Sequence, residues 1–107
     1  MKPKLQYFGV PGRGEAVRLM LKLRGDSYSD VYINTKAWRS EIKKKTRWNV
    51  IPVITLENGQ NAGMSRAILR YLGKTTIVEG ESLYPTDPNE ALIVDEGKYK
   101  FPSLFYF

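Results

Sequence analysis

Few residue types in this chain could carry out chemistry. The sequence of 107 residues contains no cysteine and no histidine, so it offers no thiol nucleophile, no redox pair, no disulfide and no histidine for acid–base catalysis. We also expect no metal. Chemistry must therefore rest on tyrosine, serine, lysine, arginine or carboxylate groups, or on a bound cofactor. Among these types, Ser65 lies at the start of a predicted helix, and a basic run covers residues 43–45.

Positive charge is concentrated in the first half of the sequence. Residues 1–53 contain 12 Lys and Arg against 4 Asp and Glu, whereas residues 54–107 contain 5 against 7. The basic half favours an anionic ligand or partner. The basic run next to Trp48 is also typical of nucleic-acid binding, but it is short, and nucleic acid is not an expected partner.

Length and composition indicate a single folded domain. The chain is 42% hydrophobic and 26% charged, which is an ordinary balance for a globular protein. It contains no uncharged run long enough to span a bilayer and no apolar signal segment. We therefore expect no membrane span, no secretion and a cytoplasmic location, with a mitochondrial or other intracellular assembly as the alternative.

The elements that must position these residues follow from periodicity and turn signals. Alternation predicts strands over 4–8, 28–33, 50–56 and 60–62, and helical spacing predicts helices over 13–24, 36–46 and 65–72. The order β-α-β-α-β-β-α predicts an α/β fold with a parallel pair followed by a hairpin at Asn58-Gly59. Residues 74–90 form a predicted connector, and the sequence around Asp87 and Pro88 predicts a helix start.

Several finer features of the helices are predicted from the same patterns. The first helix is expected to bury Ala16, Leu19, Met20 and Leu23 and to stop at Gly25. The third helix is expected to begin with Ser65 as its N-cap, to bury Ile68 and Leu72, and to stop at Gly73. The last helix is expected to be short, because Gly97 and Pro102 interrupt it.

Four segments together resemble a known family. They are KLQYFGVPGRGEAVRLML, Trp38, VIPVITLENG and MSRAILRYLG. In this order and at nearly this spacing, the chain resembles the N-terminal domain of cytosolic glutathione transferases, closest to the tyrosine-dependent, sigma-like group, over about residues 3–73. The resemblance implies a thioredoxin-like domain with a four-stranded mixed sheet over 1–74, then a linker, truncated helix and aromatic tail over 75–107, without the helical domain of complete members.

The resemblance implies two catalytic positions, Tyr7 and Arg13. A tyrosine at this position would donate a hydrogen bond to the sulfur of glutathione, and the arginine would support it. A thiol with a pKa of about 8.5 is mostly protonated at neutral pH, and a donor aimed at the sulfur favours the reactive thiolate. Without the resemblance, the favoured interpretation of Tyr7 is a half-buried strand tyrosine, and that of Arg13 is a solvated residue at a helix start.

The resemblance also implies a set of residues that bind glutathione. A tryptophan and one lysine would bind the glycyl carboxylate. The backbone of the residue before a cis-proline would pair with the cysteinyl backbone, and the start of the third helix would bind the γ-glutamyl carboxylate. Met64 departs from the Gln or Glu that the family usually has there. The implied binding residues are Trp38, Lys43, Lys44, Ile51, Pro52, Ser65 and Arg66.

Two functions remain open at this point. One is a domain that binds glutathione and, if active as a transferase, stabilises its thiolate for attack on an electrophile. The alternative is a non-catalytic structural subunit of a larger assembly that reuses this fold. Both are compatible with a protein partner or homodimer that covers the face left by the missing domain and the aromatic tail Phe101–Phe107.

Overall fold

The computed structural model describes residues 2–25 and 27–100, without the side chains of Arg47 and of residues 97–100. The predicted alternation of strands and helices is confirmed through the third helix. The strands are β1 (Lys4–Tyr7), β2 (Ser29–Tyr32), β3 (Val53–Thr55) and β4 (Asn61–Ala62), and the helices are α1 (Glu15–Arg24), α2 (Thr35–Ala37) and α3 (Ser65–Thr75).

The four strands form one mixed sheet, as predicted. Its order is β2-β1-β3-β4, with β1 parallel to β2 and antiparallel to β3, and β3 antiparallel to β4. Leu5 on the central strand lies opposite Asp30 on one side and Ile54 on the other. The core lies between this sheet and helices α1 and α3, and its most deeply buried members are Leu5, Val17, Leu21, Ile54, Ile68 and Leu72.

Helix α1 buries a different face from the predicted one. Ala16 is buried as expected, but Leu19 and Leu23 are 52% and 63% exposed, and Val17 and Leu21 are buried instead. Six of the ten residues of this helix are apolar, so two different helix faces have apolar residues at helical spacing. Only packing against the sheet decides which of the two faces is buried. The predicted stop at Gly25 is confirmed, because this residue takes the left-handed conformation at the C-cap.

The predicted helix over 36–46 is interrupted. A single α turn, α2, is capped by the Asn34 side chain, which accepts a hydrogen bond from the Ala37 N–H at 2.7 Å. A π turn over Trp38–Ile42 and a 3₁₀ turn over Lys43–Lys45 follow, and then a turn over Arg47–Asn49 in which Trp48 and Asn49 have positive φ. Three adjacent like charges and no fully buried side chain give this segment little to hold a regular helix together.

Both predicted boundaries of α3 are shifted. Ser65 is the first helical residue rather than the N-cap, because the Met64 carbonyl accepts the first helical bond from the Ile68 N–H at 3.1 Å. The helix also continues past Gly73 to Thr75. Gly73 is buried where a Cβ would lie 3.2 Å from the Cβ of Tyr84, so glycine serves close packing here rather than termination.

The predicted connector contains a small hairpin, and the last helix is longer than predicted. The hairpin pairs β5 (Ile77–Val78) with β6 (Glu81–Ser82). Helix α4 (Pro88–Lys100) begins where predicted, with the Glu90 N–H donating to the Asp87 carboxylate at 3.0 Å, but it runs through Gly97. A glycine costs a helix only about 1 kcal/mol, which is too little to end it.

None of the helices in the described ranges is both long and apolar enough to cross a bilayer. The predicted role of the tail Phe101–Phe107 lies outside the described residues.

Candidate functional site

A cleft of about 370 Å³ opens beside the start of α3. It brings together five predicted site residues that come from the loop after β1, the segment before β3 and the first turn of α3. The residues that line it are Arg13, Val50, Ile51, Pro52, Met64, Ser65 and Arg66. The Ile51–Pro52 peptide bond is cis, as the resemblance implied.

Tyr7 is connected to this cleft through Arg13. Tyr7 ends β1 and is 8% exposed. The backbone N–H of Arg13, which lines the cleft, donates to the Tyr7 hydroxyl oxygen, with 3.1 Å between nitrogen and oxygen. Because the oxygen accepts this bond, the proton of the hydroxyl can be donated to a second group. The geometry therefore orients a phenol donor by means of the backbone of the loop that borders the cleft.

Gly14 makes room for the ring of Tyr7 at the start of α1. A Cβ built on Gly14 would lie 2.5 Å from Cδ2 and 2.6 Å from Cγ of Tyr7. Carbon atoms do not approach so closely without displacement of one of them. The glycine cluster 9–14, which the sequence predicts only as a turn, thus has a steric role in placing the phenol.

Arg18 holds the loop that carries these residues, and sequence reasoning gave it no role. Its side chain is buried, and Nε donates to both carboxylate oxygens of Asp30 at 3.0 and 3.3 Å. The remaining guanidinium nitrogens donate to the carbonyls of Phe8 at 2.8 Å and Val10 at 3.2 Å. The guanidinium carbon also lies 5.6 Å from the centre of the Tyr7 ring. This one side chain therefore ties α1, β2 and the loop after β1 together.

The other wall of the cleft is the first turn of α3. The backbone N–H groups of this turn carry partial positive charge, and the chain places no acidic residue in the turn to compensate it. Ser65 and Arg66 add a hydroxyl and a guanidinium. Met64 precedes them with a positive φ of 66° and 51% exposure, and its thioether has no proton to donate. This wall suits an anionic group.

Trp38 lies at the end of a short row of aromatic rings that begins at Tyr7. The ring of Phe8 is 5.5 Å from that of Tyr7 and meets the ring of Trp38 edge-on at 6.3 Å. Phe8 was missed in the sequence, where it reads only as a strand residue. Lys43 and Lys44 are exposed on their 3₁₀ turn and do not line the cleft.

A second cleft, of about 310 Å³, lies at the opposite end of the sheet. It includes Pro3 before β1, Arg24 at the end of α1 and Tyr71 of α3, and none of the predicted site residues lines it.

Comparisons with known proteins extend these observations. No family model matches the chain. It is 31% identical over 108 residues to glutathione S-transferase P of Bos taurus, a match that covers 94% of this chain and 49% of the relative. It is 31% identical over 70 residues to S-crystallin 2 of Enteroctopus dofleini, which covers 65% of this chain and 32% of the relative. The chain thus spans about half the length, or less, of these curated relatives.

A solved structure shares the fold. The structure of prostaglandin synthase D of Nilaparvata lugens superposes with a TM-score of 0.82 at 30% identity, over 96% of this chain and 48% of that chain. The similarity therefore includes the sheet, all three site-bearing segments and most of the described residues.

Proposed function

Because this chain is similar in sequence and fold to the N-terminal, thioredoxin-like domain of the cytosolic glutathione transferases, we propose that it binds glutathione in the cleft beside α3. In this proposal the sulfur of glutathione lies within reach of the Tyr7 hydroxyl. A cytoplasmic location, or an intracellular assembly in mitochondria or elsewhere, remains a prediction.

The hydrogen bond from the Arg13 N–H to the Tyr7 oxygen is the observation that carries the proposal. It fixes the phenol and polarises it, so that its proton is a better donor to another acceptor. A thiolate is such an acceptor, and a hydrogen bond to the charged form lowers the pKa of the thiol. The tyrosine would thereby increase the fraction of glutathione that is nucleophilic at neutral pH.

The two ends of glutathione provide the charges that the cleft complements. The γ-glutamyl carboxylate would lie at the first turn of α3, against the Ser65 hydroxyl and the backbone N–H groups, with Arg66 nearby. The cysteinyl backbone would pair with the backbone of Ile51. The glycyl carboxylate would lie toward Trp38 and one of Lys43 or Lys44, whose exposed side chains have four carbons with which to reach it.

If the domain is active, the reaction is a transfer of the glutathionyl group. The thiolate sulfur attacks an electrophilic carbon, a C–S bond forms, and the electron pair leaves with a departing group or moves onto the acceptor and is then protonated. Tyr7 holds the sulfur as an anion before the attack, and Arg13 positions Tyr7.

Calorimetric titration with glutathione tests this proposal. Ser65→Ala removes one hydrogen bond to the carboxylate and is expected to weaken binding by about two- to tenfold, since a hydrogen bond contributes about 0.5–1.5 kcal/mol. Tyr7→Phe is expected to change the affinity little but to return the pKa of the bound thiol to about 8.5. The ultraviolet absorbance of the thiolate, recorded as a function of pH, measures this pKa.

Two matched variants serve as controls for this titration. Ser27→Ala removes an exposed hydroxyl from a loop outside the cleft, and Tyr71→Phe removes a phenol that borders the second cleft. Both are expected to behave as the parent chain. Absence of heat at millimolar glutathione from a chain that is folded by circular dichroism would overturn the proposal.

A second candidate, a structural subunit, is favoured by two observations. Met64 supplies no polar group where the family usually has Gln or Glu, and on α4 the adjacent Leu92 and Ile93 are 66% and 69% exposed. Exposed neighbouring apolar side chains indicate a surface that a partner covers. In this case the glutathione site would be vestigial, and the fold would be used for association.

A further inference from the structure

The segment 36–48 carries more positive charge than the proposed glutathione site requires. One lysine is enough to pair with one carboxylate. Within these thirteen positions Glu41 is the single acidic residue. The basic residues of the segment are Lys36, Arg39, Lys43, Lys44, Lys45 and Arg47.

Five of these six charges are on the surface. The side chains of Lys36, Arg39 and the run 43–45 are all exposed. Within the part of the chain that the structure describes, no ion pair is found for the ammonium groups of this run. Three adjacent ammonium groups without counter-charges repel one another and attract an extended anionic surface.

Trp48 adds an apolar contact next to the basic run. It is 63% exposed, and it lies in the turn Arg47–Asn49 that follows the turn Lys43–Lys45 directly. Its backbone is in the left-handed region with φ 64°, where non-glycine residues are uncommon. Tryptophan is enriched at the boundary between lipid headgroups and hydrocarbon, because it combines a large apolar ring with one N–H donor.

We propose that segment 36–48 docks on the surface of an anionic lipid bilayer. Its lysines are attracted to the negative headgroups, and the indole of Trp48 inserts at headgroup depth. This inference does not depend on glutathione binding.

The chemistry of the segment favours a lipid surface over nucleic acid. Proteins that bind single-stranded nucleic acid stack successive bases on several aromatic rings. In the described part of segment 36–48, Trp48 is the one exposed aromatic residue, because Trp38 is half-buried and packs on Phe8. Lysine also predominates over arginine in the segment. An ammonium group acts as a point charge suited to a diffuse anionic surface, whereas the arginine fork recognises individual phosphates.

Co-sedimentation of the full chain with vesicles tests the proposal. We expect binding to phosphatidylcholine vesicles that contain about 30% phosphatidylserine, loss of binding with rising salt, and no binding to pure phosphatidylcholine vesicles. Lys36→Gln/Lys45→Gln is expected to lower the affinity roughly 25-fold, at about fivefold per lysine. Neither residue belongs to the proposed glutathione site, so glutathione affinity should not change.

Lys2→Gln/Lys22→Gln is the matched control, because it removes the same charge from two exposed positions outside the segment. It should bind vesicles within about twofold of the parent chain, since charges distant from the surface are screened. The tryptophan fluorescence of the parent chain should shift to the blue on anionic vesicles, and Trp48→Phe should abolish the shift. Circular dichroism establishes that each variant is folded.

Three results would overturn the proposal. They are equal weakening by the control double variant, equal binding to neutral vesicles, and tighter binding to a single-stranded RNA oligonucleotide than to anionic vesicles at the same salt concentration.

Discussion

The position of the Tyr7 phenol depends on one backbone donor and one missing Cβ. The Arg13 N–H holds the hydroxyl, and Gly14 admits the ring. Arg18 in turn holds the loop in place through Asp30 and two loop carbonyls. The proposed chemistry at the sulfur is thus supported by Arg13, which lines the cleft, and by Gly14 and Arg18, which do not.

A test of this arrangement is Gly14→Ala. The added methyl group collides with the Tyr7 ring, so we expect a loss of about 1–3 kcal/mol in the free energy of unfolding, as for other overpacked sites. The displaced phenol should also leave the pKa of bound glutathione near that of the free thiol. Urea denaturation measures the first effect and ultraviolet absorbance of the thiolate the second.

Gly9→Ala is the control for that substitution. A Cβ at Gly9 would make only ordinary contact with the Tyr32 ring at 3.8 Å, so the change in unfolding free energy should stay within about 0.5 kcal/mol. Equal stability of the two variants would mean that the Tyr7 ring relaxes without cost and that Gly14 does not position it.

Sequence alone predicted part of the site at this scale. Tyr7, Arg13, the cis Ile51–Pro52 bond and Ser65 were located by resemblance, and the structure brings them to one cleft or its border. Arg18 was missed, because an arginine on an amphipathic helix has the pattern of a solvated residue. Its partner Asp30 becomes its neighbour only through the parallel pairing of β1 with β2, which no local pattern contains.

At the scale of elements, the sheet and its order could be predicted, whereas helix faces and ends could not. Alternation and the Asn58-Gly59 turn specify the strands locally. The buried face of α1 and the passage of α3 through Gly73 are decided by contacts with the sheet and with Tyr84. The β5–β6 hairpin was not predicted, because its turn, Glu79-Gly80, has a positive φ at a glutamate, and glutamate is not a typical turn residue.

Helix α4 is joined to α3 by a polar cluster that gives a titration prediction. The Tyr84 hydroxyl donates to the Asp95 carboxylate at 2.9 and 3.0 Å, and Arg70 Nε donates to the same carboxylate at 3.1 Å. The pKa of Tyr84 is raised above its usual 10.0, chiefly by the hydrogen bond to Asp95 and secondly by burial. Since the folded-state pKa is the higher one, the stabilisation is complete below pH 10 and is lost as the pH rises through the folded pKa.

Asp95→Asn should lower the pKa of Tyr84 toward its ordinary value, because the carboxylate that disfavours the phenolate is gone. Carbon-13 NMR of Cζ-labelled tyrosine follows this titration directly. Glu96→Gln removes an exposed neighbouring charge and is expected to leave the titration in place. An unchanged midpoint in Asp95→Asn would mean that the hydrogen bond is absent in solution.

At the scale of the whole molecule, charge and apolar surface are separated. The first half carries the positive charge, including segment 36–48, and the second half carries the acidic excess and the exposed apolar residues of α4. Such a distribution provides two surfaces for two kinds of partner, one anionic and one apolar. Lys36 and Lys45 on the basic surface, and Leu92 and Ile93 on the apolar one, lie outside the proposed glutathione site, so association and ligand binding are separable by mutation of these residues.

The apolar surface on α4 gives the prediction that distinguishes a structural subunit from a solitary binding domain. Each fully buried leucine or isoleucine contributes about 1.5–3 kcal/mol, so a contact that covers Leu92 and Ile93 gains a substantial part of the roughly 8 kcal/mol that a micromolar complex needs. We expect concentration-dependent association in sedimentation velocity, and we expect Leu92→Gln/Ile93→Gln to weaken this association at least about tenfold.

Val10→Gln, which removes an isolated apolar side chain that is 56% exposed, should associate as the parent chain does. A chain that stays monomeric at high concentration and still binds glutathione would eliminate self-association through α4 and leave the cleft as the functional surface.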